Sequence, residues 1–107
     1  MSNYLLQEAG RFKALSNPHR LALFQRLITC CAPGTKCDPV QAAKICVGEL
    51  GEGLDIAPST LSHHLKTLHA AGLINMQRRG KHIDCWVDPV VLKQLAGFFT
   101  APYEVNT

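Results

Sequence analysis

The sequence lacks the segments that would carry the chain into or across a membrane. It does not begin with a basic stretch followed by an apolar core, and no apolar run approaches the ~20 residues of a membrane-spanning helix. Repeats, low-complexity stretches and domain linkers are absent too. We therefore expect a single cytoplasmic domain over residues 1–107, whose five cysteines are mostly thiols.

Patterns that indicate catalysis are also missing. The chain has no Cys-x-x-Cys pair, no glycine-rich phosphate loop and no cluster of acid-base groups. Its 107 residues, 47% of them hydrophobic, are enough for one compact core. The net charge of +3 is modest, so any affinity for nucleic acid depends on where the cations lie. These features predict a binding protein and not an enzyme.

Periodic apolar residues predict helices in the first half of the chain. The first helix spans roughly residues 3–15, and its apolar stripe is Leu5, Ala9, Phe12 and Leu15. The second begins at Pro18 after a cap from Ser16 or Asn17, and its predicted inward face is Leu21, Phe24, Leu27, Ile28 and Cys31. Two prolines and a glycine in 32–39 end it near Cys31. A third helix is predicted from about Val40.

The segment from Ala57 to Val87 is the most informative part of the sequence. Pro58 suits a first helical position and Gly72 suits a helix end, which predicts a helix from Pro58 to about Ala71. One face of this helix carries Leu61, Leu65 and Leu68. Two short alternating strands follow, and the turn between them is basic: Arg78, Arg79, Gly80, Lys81 and His82. A helix followed by a hairpin with a cationic tip is typical of a DNA-binding unit, although each part alone could be a solvated surface element.

The stretch STLSHHLKTLHAAGLINMQRRGKHIDCWV resembles the recognition helix and wing of the ArsR/SmtB family of metal- and metalloid-responsive repressors. The stretch FKALSNPHRLALFQRL resembles the second helix of that family, and the similarity covers roughly Leu5 to Phe99. The resemblance implies a mainly α winged helix-turn-helix fold with about five helices, two strands and a β-hairpin wing. It also implies a cytoplasmic homodimer that represses a promoter until an inducer binds.

We predict two sets of DNA contacts on this basis. The residues expected at bases or nearby phosphates of an inverted-repeat operator are Ser59, Thr60, Ser62 and His63. The residues expected at phosphates are Lys66, Arg78, Arg79 and Lys81.

The last helix, predicted over about residues 89–100, carries more apolar surface than a small domain easily buries. In the family the terminal helices, here about 3–15 and 89–100, pair across the dimer. The resemblance therefore assigns Leu92, Leu95 and Phe99 to dimerisation. The alternative is an ordinary core helix of a monomer.

Three cysteines, Cys30, Cys31 and Cys37, fall within eight positions, and a turn at Pro33-Gly34 would bring the third back towards the first two. Three sulfur ligands suit a thiophilic ion, so we predict As(III) as inducer, with Sb(III) or mercury as alternatives. The same thiols could instead form a redox switch, through a disulfide of Cys37 with Cys30 or Cys31. Cys31 and Cys85 could also simply fill core volume, which we prefer for Cys85.

The sequence departs from the resembled family in its metal ligands. Arsenic-responsive members typically carry two cysteines one residue apart at the start of the third helix, and here Cys46 is followed by Gly48 at the second position. We therefore expect a relocated site, with Cys46 as a fourth or competing thiol. The zinc site of the family needs histidine on the last helix, and residues 88–107 contain none. A zinc sensor of that type is disfavoured, as is a metal site at His63, His64 and His69.

Overall fold

The computed structural model describes residues 2–29, 45–46, 50 and 53–104. Within these ranges the chain forms helices and short strands in the following order: α1 (Asn3–Leu15), α2 (Pro18–Ile28), β1 (Ile45–Cys46), α3 (Pro58–Ala70), β2 (Asn75–Arg79), β3 (His82–Trp86) and α4 (Pro89–Glu104). The architecture is mainly α with a β-hairpin, which confirms the predicted winged helix-turn-helix fold.

The first two helices begin where the sequence predicts. The Ser2 side chain accepts a hydrogen bond from the backbone N–H of Leu5 and so caps α1. Asn17 Oδ1 accepts from the backbone N–H groups of residues 19 and 20, and Pro18 occupies the first position of α2. The end of α2 differs from the prediction, because the helix stops at Ile28 with Thr29 as its C-cap. Cys31, predicted on its inward face, lies outside the described residues.

The termini of α3 also match their predicted residues. Pro58 opens the helix after Ala57, whose extended backbone (φ −64°, ψ 147°) provides no side-chain cap. Gly72 follows the helix with a φ of +77°, a conformation that costs glycine little and other residues more. This turn leads directly into Leu73 and Ile74, which are buried and join the helix to the hairpin.

The three strands form one antiparallel sheet in the order β1-β3-β2. The wing hairpin pairs Met76 with Cys85 and Arg79 with His82, and its turn contains Gly80 at a φ of +61°. The other edge of β3 pairs with Ile45–Cys46, an element absent from the sequence prediction.

The strand Ile45–Cys46 corrects the prediction of a continuous third helix from about Val40. Residues 40–44 lie outside the described part, but 45 and 46 are extended and bonded to β3, and the chain is helical again at Leu50. The pairing edge of β3 is a tertiary partner that local helix propensity does not register.

The core consists mainly of leucine. The leucines with no exposed surface are Leu23, Leu27, Leu50, Leu65, Leu68 and Leu73. Leu61 is also buried, so the predicted apolar face of α3 is confirmed. This packing fixes α3 against α1 and α2.

The inward faces of α1 and α2 differ from the predicted stripes. In α1 the buried residues are Glu8, Arg11 and Ala14, while Leu5 is 46% exposed and Ala9 is also exposed. In α2 the exposed apolar residues are Leu21 and Ile28. The pattern failed in α1 because a charged pair occupies its inward face, which leaves its apolar residues for another contact.

That other contact is with α4. The Phe12 ring lies 5.2 Å from the Phe98 ring and 5.4 Å from the Phe99 ring, measured between centroids, and Tyr4 lies 6.4 Å from Phe98. The two terminal helices therefore share an aromatic cluster. In the described ranges, no helix is long and apolar enough to cross a membrane.

Candidate nucleic-acid interface

Helix α3 presents a polar surface to solvent on the side away from the core. We call this surface the exposed face of α3, and its residues are Ser59, Thr60, Ser62, His63 and Lys66. All of them are exposed, as the predicted contact role requires, whereas the leucines of the same helix are buried. Hydroxyl, imidazole and ammonium groups can bond base edges or phosphates in a major groove.

The wing places its cations beside this helix. Arg78 on β2 and Lys81 in the turn are both exposed. Arg79 is paired with His82 at the end of the hairpin, and its side chain lies outside the described part of the chain. Because Leu73 and Ile74 anchor the start of the wing in the core, the hairpin and α3 form one packed unit. A helix and a cationic hairpin held in this way can contact bases and phosphates of the same duplex.

A buried histidine in α3 was not assigned a role from the sequence. His64 is only 7% exposed, and its Nδ1 lies 3.5 Å from Nη1 of Arg20 in α2. Its ring stacks on that of His19 with a centroid distance of 5.8 Å, and the His63 ring lies 6.0 Å away. The pKa of His64 is lowered, chiefly by burial and then by the nearby charge of Arg20. A neutral imidazole therefore packs α3 against α2.

The spacing of His64 contains a signal that could have revealed this role. Together with Leu61, Leu65 and Leu68 it completes the i, i+3, i+4, i+7 spacing of one helical face. Arg20, its neighbour, also donates from Nε to the Ala14 carbonyl at 2.6 Å. The contact therefore links the end of α1, the start of α2 and the middle of α3.

The predicted thiol site cannot be placed, because Cys30, Cys31 and Cys37 lie outside the described residues. Cys46 belongs to β1, where its backbone faces Asp84 across the sheet. Cys85 is a fully buried thiol of the core, which confirms the packing role preferred for it. In the part of the chain that the structure describes, no three or more His, Cys, Asp or Glu side chains form a group that could hold a metal ion.

The residues predicted at a dimer interface occupy two environments. Leu92 and Leu95 are half-buried and pack partly against the core of their own chain. Phe99 is 61% exposed, at the surface that α4 shares with α1. Tyr4, Leu5 and Leu6 of α1 are exposed as well. The terminal helices thus carry an apolar surface.

Comparison with known proteins agrees with this geometry. Residues 15–77 match a family model described as a helix-turn-helix domain. The chain is 36% identical over 90 residues to the uncharacterized HTH-type transcriptional regulator YbzH of Bacillus subtilis (strain 168), a match covering 81% of this chain and 89% of YbzH. It is 39% identical over 62 residues to the uncharacterized HTH-type transcriptional regulator YceK of the same strain, which covers 58% of this chain and only about half (51%) of YceK.

Among solved structures, the fold is similar to the crystal structure of an ArsR family transcriptional regulator. The TM-score is 0.72 at 23% sequence identity, and the match covers 98% of this chain and 95% of the other. The matched domain, the curated relatives and the arrangement of α3 and the wing agree with one another. The chain belongs to the helix-turn-helix transcriptional regulators and is a winged helix-turn-helix regulator of the ArsR/SmtB type.

Proposed function

We propose that this regulator is a homodimeric repressor that binds an inverted-repeat operator and releases it when a thiophilic metalloid, As(III) or Sb(III), binds a cysteine cluster. The observation that supports operator binding most strongly is the two-sided character of α3. Its leucines and His64 are buried, while every residue predicted to contact DNA from this helix is exposed. A helix fixed by one face and open on the other can read base edges in a major groove.

The wing supplies the sequence-independent part of the binding. Arg78 and Lys81 are exposed cations on a hairpin anchored in the same core as α3. Contacts with phosphates fix the register of a protein on the duplex and make its affinity depend on salt. Ser59, Thr60, Ser62 and His63 would then supply the contacts at or near bases.

Dimerisation is supported by the apolar surface of α1 and α4. Leu6 is 56% exposed and Phe99 is 61% exposed, and the Phe12, Phe98 and Phe99 rings connect the two helices. Exposed apolar surface of this kind is typical of an interface between protein chains. A twofold dimer would carry two copies of α3, which matches an operator made of two inverted half-sites.

The inducer site rests on the chemistry of the sequence. Cys30, Cys31 and Cys37 offer three thiolates close in the chain, and soft thiolate ligands favour thiophilic ions. Cys85 is withdrawn from this role by its complete burial. Mercury shares the preference for sulfur and remains an alternative inducer.

A described contact connects the region of these thiols with the approach to α3. Helix α2 ends at Ile28, two residues before Cys30. Near that end, Arg26 donates from Nη1 to the backbone carbonyl of Leu50 at 3.0 Å, and Leu50 is fully buried in the segment that precedes α3. An ion that holds the residues after α2 can therefore displace α3 through Arg26. A hundredfold loss of DNA affinity needs a coupling free energy of only ~2.7 kcal/mol.

The test is fluorescence anisotropy of the fully reduced protein on DNA from its own promoter, titrated with arsenite and, in parallel, with zinc. We expect release at about one equivalent of arsenite per subunit and retained binding with zinc. The Cys37→Ser variant should bind the DNA normally and no longer release it on arsenite.

Retained binding of the native protein through an excess of arsenite would contradict metalloid sensing and favour the redox switch. Mass measurement distinguishes the two, because bound arsenic adds mass and a disulfide removes two hydrogens. A Cys37→Ser variant that still responds normally would show that Cys37 is not an obligatory ligand.

A further inference from the structure

Helix α1 carries a buried ion pair whose placement the DNA-binding function does not require. Glu8 is 2% exposed and Arg11 is 4% exposed. Arg11 Nη1 donates to Glu8 Oε1 at 3.1 Å and to Gln94 Oε1 of α4 at 2.9 Å. Taking two opposite charges out of water costs free energy that their attraction does not always return. A buried pair at a helix contact therefore suggests a role beyond stability.

The pair is incompletely satisfied. Among the described residues, neither Glu8 Oε2 nor Arg11 Nε has a hydrogen-bond partner, although both atoms are buried. The position of the guanidinium thus depends on its bonds to Glu8 and Gln94. Removing the acceptor on α4 deprives Arg11 of one of these two bonds in a place where water does not replace it.

The other side of the Arg11 guanidinium lies against the end of α3. A Cβ atom added to Gly72 would lie 3.8 Å from Arg11 Nη2 and 4.0 Å from its Nε. The last carbonyls of a helix carry a partial negative charge, so a cation beside them stabilises the helix end. Arg11 is therefore in contact with α1, α4 and the C-terminal end of the helix that carries the DNA-binding residues.

We propose that Arg11 is a positioning residue through which the terminal helices α1 and α4 set the orientation of α3. This inference rests on the proposed function for its effect on DNA, but the contact itself concerns the protein alone. Displacing α4 from α1 moves Gln94, which weakens the hold on Arg11 and loosens the end of α3. Packing of the terminal helices and affinity for the operator are coupled by this route.

Gln94→Ala tests the coupling with little cost in packing, because Gln94 is an exposed residue whose amide oxygen reaches Arg11. Gln94→Glu restores an acceptor at the same position. Gln25→Ala, at an exposed position of α2, is the matched control. Hydrogen exchange is measured at the amides of Gly72 and Leu73, which bond to the His69 and Leu68 carbonyls at the end of α3. Operator affinity and the dimer dissociation constant are measured on the same samples.

We expect Gln94→Ala to accelerate exchange at these two amides at least fivefold and to weaken operator binding about fivefold, with an unchanged dimer constant. Gln94→Glu should restore both values to within twofold of the native protein, and Gln25→Ala should change neither. Native exchange in Gln94→Ala would overturn the inference, as would faster exchange spread evenly over all helices. If the exchange result holds while native protein fails to bind promoter DNA, the proposed function is wrong and the positioning role of Arg11 stands.

Discussion

His64 Nδ1 lies 3.5 Å from Arg20 Nη1, and this contact attaches the DNA-binding helix to α2 through a histidine. The arrangement requires a neutral ring, because a protonated imidazole no longer accepts a hydrogen bond at Nδ1 and would place a second positive charge beside the guanidinium. The packing of α3 is therefore sensitive to proton concentration.

The first prediction concerns stability at low pH. The pKa of His64 is lowered below 6.5, first by burial, then by Arg20, and then by His19 and His63. The unfolded chain therefore binds a proton at this site more readily than the folded protein does. The contribution of neutral His64 is fully present above about pH 6.5 and is lost as the pH falls through the lowered folded value.

The measurement is the free energy of unfolding by urea between about pH 7.5 and pH 5. We expect His64→Gln to flatten the decline in stability on acidification, whereas His69→Gln, at an exposed position of the same helix, leaves it unchanged. An equal decline in the native protein and in His64→Gln would contradict this account.

The second prediction concerns the uncapped start of α3. Ala57 is the N-cap, with extended backbone and no side-chain bond to the first turn. Ala57→Ser supplies a hydroxyl acceptor without a change of backbone and should stabilise the protein by about 1 kcal/mol. The opposite change, Asn17→Ala, removes the side-chain acceptor at the start of α2 and should destabilise it by about the same amount. Thermal unfolding of both variants checks the signs, and a less stable Ala57→Ser would show that the start of α3 differs from this description.

The third prediction concerns the wing. Arg78→Ala should weaken binding to every DNA sequence alike and reduce the slope of log K against log salt by about 0.9 for each phosphate that the protein no longer neutralises, or about 1.8 for two copies in a dimer. Lys13→Ala is the control, because this exposed cation lies in the last turn of α1. Titrations at several salt concentrations give the slopes. An unchanged slope for Arg78→Ala would place the wing away from the phosphates.

The fourth prediction separates packing thiols from sensing thiols. Cys85 is fully buried in the core, so Cys85→Ala should cost about 1 kcal/mol of stability and leave the response to arsenite intact. Unfolding by urea and the arsenite titration are compared with the native protein. Loss of the arsenite response in a Cys85→Ala protein that remains folded would make Cys85 a ligand.

The elements with strong local signals were predictable from the sequence. Leu61, Leu65 and Leu68 mark the buried face of α3 by their spacing, and Gly72 occupies the positive φ that ends the helix. The basic hairpin was equally predictable, because alternating strands surround a turn whose Gly80 also has a positive φ.

Features that depend on tertiary partners were not predictable. Glu8 and Arg11 have the charges of a solvated helix face, and only their contact with Gln94 explains their burial. The two-residue strand Ile45–Cys46 is too short to show a period and forms because the edge of β3 is available. His64 lay between these cases, since its spacing pointed inwards while its polarity pointed outwards.

The most direct test of the central claim compares operator DNA with a scrambled duplex in fluorescence anisotropy, for the native protein and for Ser62→Ala/His63→Ala. If the exposed face of α3 reads bases, the native protein prefers the operator, and the double variant loses about 1–3 kcal/mol of that preference for each base that it no longer reads, with an unchanged salt slope. An undiminished preference in the double variant, or equal binding of both duplexes by the native protein, would contradict the claim.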